Sequence, residues 1–188
     1  ESLEIPVQLA NGSAEIDVQG TVNRGKMVLK SVIDFTADTP AVSVPENSDV
    51  LTGVGFSEAM SNDLLAHVHP LFKGAAISEG TMDLSLQHFN WPLDAAKRKD
   101  ATFAASITFN EVVLRSGGLL TPLLEVMKAN EREVILGDKP MECRGENDRV
   151  RCSPIEIKTR DHTLMLSGSV GFDKTLDYKA QIPVTRKM

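Results

Sequence analysis

Residues 162–185 read HTLMLSGSVGFDKTLDYKAQIPVT, and their apolar and polar side chains alternate almost without a break. Leu164, Leu166, Val170 and Phe172 share one parity, and past a turn at Asp173-Lys174 so do Leu176, Tyr178, Ala180 and Ile182. Thr163, Ser167, Ser169, Thr175, Asp177, Lys179 and Gln181 take the other face. A period of two marks a strand with one buried and one wet side. The stretch therefore predicts a β-hairpin whose apolar face needs a cover, and what supplies that cover is the functional question.

Immediately upstream, strands are expected near 140–145 and 149–158, with Cys143 and Cys152 on either side of the polar run Arg144 to Arg151. A two-residue turn at Asn147-Asp148 sets the cysteines opposite each other. A non-hydrogen-bonded antiparallel pair has Cα atoms about 4.5 Å apart, a gap that a disulfide spans. A turn one residue earlier staggers them and leaves two reduced thiols. The bridged alternative implies an oxidising compartment and a stabilisation of about 2.5–3 kcal/mol from so short a loop.

Further out, Thr121-Pro122 predicts a helix with Thr121 as N-cap, Pro122 at its first position and an apolar stripe of Leu120, Leu123, Leu124 and Met127. Phe103, Ala105, Ile107 and Phe109 alternate before the phase slips to Val112 and Leu114; Met82, Leu84 and Leu86 slip likewise to Phe89, Trp91 and Leu93. A slip of one residue is the mark of a β-bulge, and two in neighbouring strands predict a strongly bent sheet. The charged run between them, DAAKRKD at 94–100, reads as a solvated loop. A second helix is expected over about 57–72, capped by Ser57, with Phe56, Met60, Leu64, Val68, Leu71 and Phe72 three or four apart and a break at Pro70.

The N-terminal part predicts a three-strand meander: Ile5, Val7 and Leu9; then Ala14, Ile16, Val18 and Val22; then Met27, Leu29, Ile33 and Phe35. Asn11-Gly12 and Asn23-Arg24-Gly25 supply the turns. Residues 37–56 read as a loop with a short edge strand at Val42 to Val44. An internal echo ties the two ends of the chain: IDVQGTV at 16–22 matches LMLSGSV at 164–170, so Gly20 and Gly168 mark equivalent bends, unless the match is a coincidence of two alternating strands.

Composition narrows the function. The chain has 188 residues, 41% hydrophobic, enough for a proper core in one domain. Its 20 basic and 26 acidic residues are dispersed and give a net charge of -6, which argues against a nucleic-acid partner. Aromatics at 5% supply no stacking platform. No apolar run approaches the roughly 20 residues that span a bilayer, and the chain as it stands is expected to be water-soluble. It begins at Glu1 rather than Met, which points to a processed protein or a domain of a longer chain, with any membrane anchor outside these residues.

No catalytic or metal constellation emerges, and no cofactor is implied. His67 and His69 stand two apart, about 200° around a helix, and His88 and His162 lack acidic or cysteine company at ligand spacing. There is no Gly-x-Ser-x-Gly elbow, and Gly117-Gly118 lacks the rest of a phosphate loop. The chain is therefore read as non-enzymatic.

The segment Leu164 to Tyr178, with Leu-Ser-Gly at 166–168 and Phe-Asp-Lys-Thr-Leu-Asp-Tyr at 172–178, resembles the C-terminal region of AsmA-like proteins, in the AsmA and TamB group of the Gram-negative envelope. The stretches Leu64 to Leu93 and Phe103 to Leu114 are similar to the region that precedes it. The resemblance implies a periplasmic body tethered to the inner membrane, and a part in outer-membrane assembly or lipid transport without catalysis. The expected fold is mainly β with two helices (α+β), a curved antiparallel meander sheet with amphipathic helices packed on its apolar concave face, in one domain over 1–188. A phospholipid or other envelope lipid would meet Met82, Leu84, Leu86, Phe103, Ile107, Phe109, Leu164, Leu166 and Val170. The same residues would equally form a dry core. In that case exposed sheet edges would make the chain an interaction module, docking on neighbouring envelope proteins or on itself.

Overall fold

Three two-residue turns with both central residues at positive φ set the order of the sheet: Asn11-Gly12 (51° and 76°), Asn23-Arg24 (46° and 69°) and Asn147-Asp148 (50° and 60°). Paired left-handed residues make the turn whose twist matches that of the strands it joins, and asparagine is the non-glycine residue that best tolerates it. A fourth reversal, at Phe172 to Lys174, is closed by Asp173, whose carboxylate accepts from the Thr175 backbone N–H (3.0 Å) and hydroxyl (2.7 Å).

The structure, a computed structural model, describes residues 2–57, 60–74, 76–115, 117–127, 129 and 131–182, without the side chains of 63, 64, 67, 76 and 78. Its strands are β1 (Ser2–Glu4), β2 (Val7–Ala10), β3 (Ser13–Val22), β4 (Gly25–Asp34), β5 (Ala41–Val44), β6 (Ser48–Gly55), β7 (Ala76–Pro92), β8 (Thr102–Arg115), β9 (Glu133–Leu136), β10 (Met141–Glu146), β11 (Arg149–Lys158), β12 (Thr163–Gly171) and β13 (Leu176–Gln181). All lie in one antiparallel sheet. Three places in it are filled by broken strands. β1 and β2 both pair with β3, β5 and β6 both lie between β4 and β7, and β9 and β10 both lie between β8 and β11. With these counted as single places, every strand neighbours the next one along the chain, so the sheet is an unbroken meander.

This corrects the sequence reading of 37–56. Val42 to Val44 is no edge strand: Val42 stands opposite both Ile33 of β4 and Trp91 of β7, and β6 continues the same place in the sheet after Asn47 turns at φ 57°. Register shifts between Asp49 and Leu51 and between Leu51 and Val54 scramble the alternation of β6, which is why its sequence looks like loop. The slips read in β7 and β8 are bulges, with the register moving between Leu86 and His88 and again near Gly80, opposite Glu111 at φ 52°.

The helical content is short. Met60–Leu65 is a π-helical turn, Ala66–Val68 is α-helical and Pro70–Phe72 is 3-10. Ser57 caps the segment, its hydroxyl accepting from Met60 N at 3.2 Å. Pro70 breaks it by forcing His69 into an extended conformation (φ -148°, ψ 126°). The later helix, Leu120–Val126, starts earlier than expected. Leu119 is its N-cap and has no side-chain cap bond, Leu120 N donates to Gly117 O (3.0 Å), and Thr121 is exposed inside the first turn. Burial of Leu120 (0% exposed) outweighs the capping preference of Thr121, and Pro122 remains within the first turn, where no N–H is needed. Ala95–Asp100 form a 3-10 turn capped by Asp94 and exposed apart from a half-buried Lys97, as a solvated connection should be.

Candidate functional site: the apolar face of the sheet

Register defines the site. Directly opposed residues of an antiparallel pair share a face. The pairs Leu3↔Gly20, Val7↔Ile16, Val18↔Leu29 and Ile33↔Val42 therefore join one surface in the N-terminal half. Val42↔Trp91, Val44↔Phe89, Phe89↔Phe103, Leu84↔Ile107 and Met82↔Phe109 continue it through the middle. Met141↔Ile107, Cys143↔Cys152, Val150↔Val170, Gly168↔Tyr178 and Val170↔Leu176 carry it to the last strand. No Asp, Glu, Lys or Arg stands at any of these positions. Charge is held on the opposite face, where Lys30 pairs with Asp17 (3.9 Å) and Asp83 accepts from Gly53 N (2.6 Å) and Asn110 Nδ2 (2.9 Å).

The nine residues expected to meet lipid all lie on this surface. Met82, Ile107, Phe109, Leu164 and Leu166 are buried in one cluster with Leu65, Leu71, Phe72, Leu120 and Leu124 of the helical segments. Leu84, Leu86 and Phe103 are partly buried against that cluster, and Val170 is buried. Phe72 and Phe109 anchor the contact with ring centroids 5.4 Å apart; full burial of each phenyl ring is worth about 1.5–3 kcal/mol. Phe103 can lie flat because its ring occupies the space a Cβ on Gly145 would need.

The helical cover is not continuous. Leu3, Ile5, Val7 and Leu9 are 50–76% exposed, and Ile16, Val18 and Ile33 stay half-buried outside the core cluster. At the other end of the strands, Phe89, Trp91 and Phe172 form an aromatic run, Trp91 lying 6.3 Å from Phe89 and 5.6 Å from Phe172. The alternation of β2 to β4 is legible in the sequence, but none of the nine residues expected to meet lipid lies on these strands. A depression of about 530 Å³ beside the Asn23-Arg24 turn is lined by Glu4, Gln19, Thr21, Arg24 and Lys26, mostly of the charged face, and groups no chemistry.

Two buried polar atoms inside the cluster have no partner among the described residues: His69 Nε2 and the Tyr178 hydroxyl. Their rings meet edge to face at 4.8 Å. His69 Nδ1 accepts from Leu71 N at 3.2 Å, so the neutral ring carries its proton on Nε2. Burial alone lowers His69 to about 3, and burial pushes the Tyr178 hydroxyl up. Helical geometry between His67 and His69 does not apply, because His69 is extended; the His67 side chain lies outside the described residues. His88 Nε2 is bonded to Thr102 Oγ1 (2.9 Å). Among the described residues no group of three His, Cys, Asp or Glu is placed to hold a metal, and no helix is long and apolar enough to cross a membrane.

Cys143 and Cys152 form a disulfide, Cα atoms 4.0 Å apart, on the apolar face. The Asn147-Asp148 turn makes Glu146 and Arg149 the hydrogen-bonded pair that closes the hairpin; counting outward, the cysteines fall on a non-hydrogen-bonded pair, the close kind. No family model, curated protein or solved structure matches this chain.

Proposed function

We propose that this chain is a non-catalytic domain of an AsmA-like envelope protein that guides lipid along the uncovered part of its apolar face. The observation that carries the reading is the extent of that face, uncharged across every strand place yet roofed by helical side chains over only part of its width. Bending is supported by the Trp91–Phe172 contact. Four strand steps separate β7 from β12, roughly 19 Å in a flat sheet at about 4.8 Å per step, whereas these rings are 5.6 Å apart. A sheet bent in that sense has its apolar face on the concave side, with the helical segments packed within. The disulfide supports an oxidising compartment, which for an AsmA-like protein is the periplasm; the resemblance adds an inner-membrane tether elsewhere in the full-length protein.

Magnitudes favour guiding over storage. An acyl chain of about fifteen methylenes gains ~12 kcal/mol on full removal from water, and roughly half on an open face. A phospholipid carries two such chains, about 12 kcal/mol on an open face; association costs of ~4–15 kcal/mol offset much of that, so bound lipid survives gentle extraction yet exchanges. Native mass spectrometry after gentle extraction should find co-purifying phospholipid. Val7→Asp and Val18→Asp, outside the buried cluster, should displace it with little loss of stability. A lipid-free wild-type protein, or lipid that stays on the charged variants, overturns the reading. The second reading, an interaction module with a closed core, is favoured by the burial of most of the nine expected lining residues and by two sheet edges that are open among the described residues.

A further inference from the structure

We infer that the free edge of β13 is a self-association surface, occupied by a second copy of this chain joined antiparallel about Tyr178. The inference is independent of the lipid reading, because it rests on hydrogen-bond phase and charge at one strand.

Phase comes first. Each strand residue points its N–H and C=O to the same side, and the side alternates along the strand. The hairpin at Asn147-Asp148 closes on Glu146 and Arg149, so Val150 and Cys152 turn their backbone groups away from β10 and toward Val170 and Gly168 of β12. Val170 and Gly168 are thereby committed to β11. Their partners on the far side, Leu176 and Tyr178, must point outward, as must Ala180. The bond from Gly171 N to Thr175 O (2.8 Å) fixes the same phase independently. Among the described residues β13 pairs with β12 alone, so a row of unmet donors and acceptors faces solvent.

Charge selects the occupant. A two-fold axis at Tyr178 sets each Tyr178 opposite its counterpart in a hydrogen-bonded pair and Leu176 opposite the other copy's Ala180. The same axis sets Asp177 opposite Lys179 twice over. Both charges are exposed and neither forms an ion pair within the chain among the described residues. Leu176, 59% exposed, gains a cover, and the apolar faces of the two copies become continuous. The N-terminal edge has no such symmetry: β1 and β2 carry Glu4 and no cation. A two-fold joint at β13 closes as a dimer, whereas a joint from β13 to the β1–β2 edge would propagate into chains.

A strand of six residues gives a contact smaller than a standard interface, so the dimer is weak and calls for high protein concentration. Sedimentation of the whole chain up to about 200 µM should show a monomer–dimer equilibrium and nothing larger. Asp177→Lys and Lys179→Asp each turn both cross-strand attractions into repulsions and should raise the dimer Kd roughly tenfold. The double exchange, Asp177→Lys with Lys179→Asp, should restore it. Amide exchange should slow on dimerisation at Leu176, Tyr178 and Ala180, the outward-pointing N–H groups, and not at Asp177 or Lys179. A wild-type protein that stays monomeric, single variants that dimerise as well as it does, a double exchange that fails to restore, or open-ended oligomers would each overturn the inference.

Discussion

Lowering the pH from 7 to 5 should cost this protein about 2 kcal/mol of stability through His69 alone. The ring is 1% exposed, and the only cause acting on it is burial, which lowers it from 6.5 to about 3. Among the described residues no charged group shifts it; the titratable ring in contact is Tyr178, held neutral by its own burial. A proton arriving at Nδ1 would also meet the Leu71 N–H, which already donates there. The unfolded chain therefore binds the proton first. Stability is full above pH 6.5, and it is lost as pH falls toward 3, at a slope approaching ~1.4 kcal/mol per pH unit. At pH 5 the loss is about 2 kcal/mol, or roughly 4–8 °C in Tm for a chain of this size.

The control is His69→Asn, which keeps a side-chain acceptor for the Leu71 N–H and cannot titrate. It should be less stable at pH 7, because a buried ring is lost, yet its urea midpoint should move much less than the wild type's between pH 7 and 5. Asp34, Asp138 and Asp173 do not confuse the comparison. Hydrogen bonds from Thr36 and Thr175 lower Asp34 and Asp173, as a backbone bond and Lys158 lower Asp138, so their losses fall at more acid pH. Equal pH dependence in the two proteins, or an NMR titration of His69 near 6.5, would refute the reasoning.

Replacing Cys143 and Cys152 together by alanine opens a loop of sequence separation 9. Chain entropy then predicts a loss of about 2.5–3 kcal/mol, measured by urea unfolding, and the same loss in wild type under a reductant. Gly168→Ala and Gly20→Ala should differ although they occupy matching places in the echo. At Gly168 the added Cβ collides with Asp177 O and meets Tyr178 Cα (2.7 Å), so β13 and its contact with His69 must shift, at about 1–3 kcal/mol with faster amide exchange over 176–181. At Gly20 it collides with Ser2 O, which displaces only the exposed β1 and should leave the unfolding midpoint nearly unchanged.

What the sequence disclosed follows physical lines. The 162–181 hairpin, the Asn147-Asp148 turn and the bulges of β7 and β8 were legible because each rests on contacts between neighbours in sequence or on period two. β6 was hidden because its two register shifts break that period over eight residues. β9 was hidden because Glu133 to Leu136 is too short for alternation to stand out. The position of His69 was misjudged for a local reason, the extended conformation that Pro70 imposes. Its burial has a distant cause, since Tyr178, more than a hundred residues on, forms part of its walls.

The division of the apolar face into covered and uncovered parts has the same distant origin. The segments 60–74 and 117–127 leave the sheet at the same end, since Gly55 lies opposite Thr81 and Ala76 opposite Arg115, which in turn faces Glu133. Two helical excursions from one end cover the sheet unevenly: their buried leucines and Phe72 cluster with β6 to β12 and His69 reaches Tyr178 of β13, while among the described residues β1 and β2 add nothing to that cluster. Nothing in the alternation of β2, β3 and β4 differs from that of β12, so the pattern alone cannot say which strands lie beyond the helices' reach. The shared glycines sharpen the point. Gly20 and Gly168 each admit the backbone of an edge strand, but β13 brings Tyr178 into the core whereas β1 brings nothing. Similar local sequence thus yields one edge strand fixed by its contacts with the core and one that stays exposed.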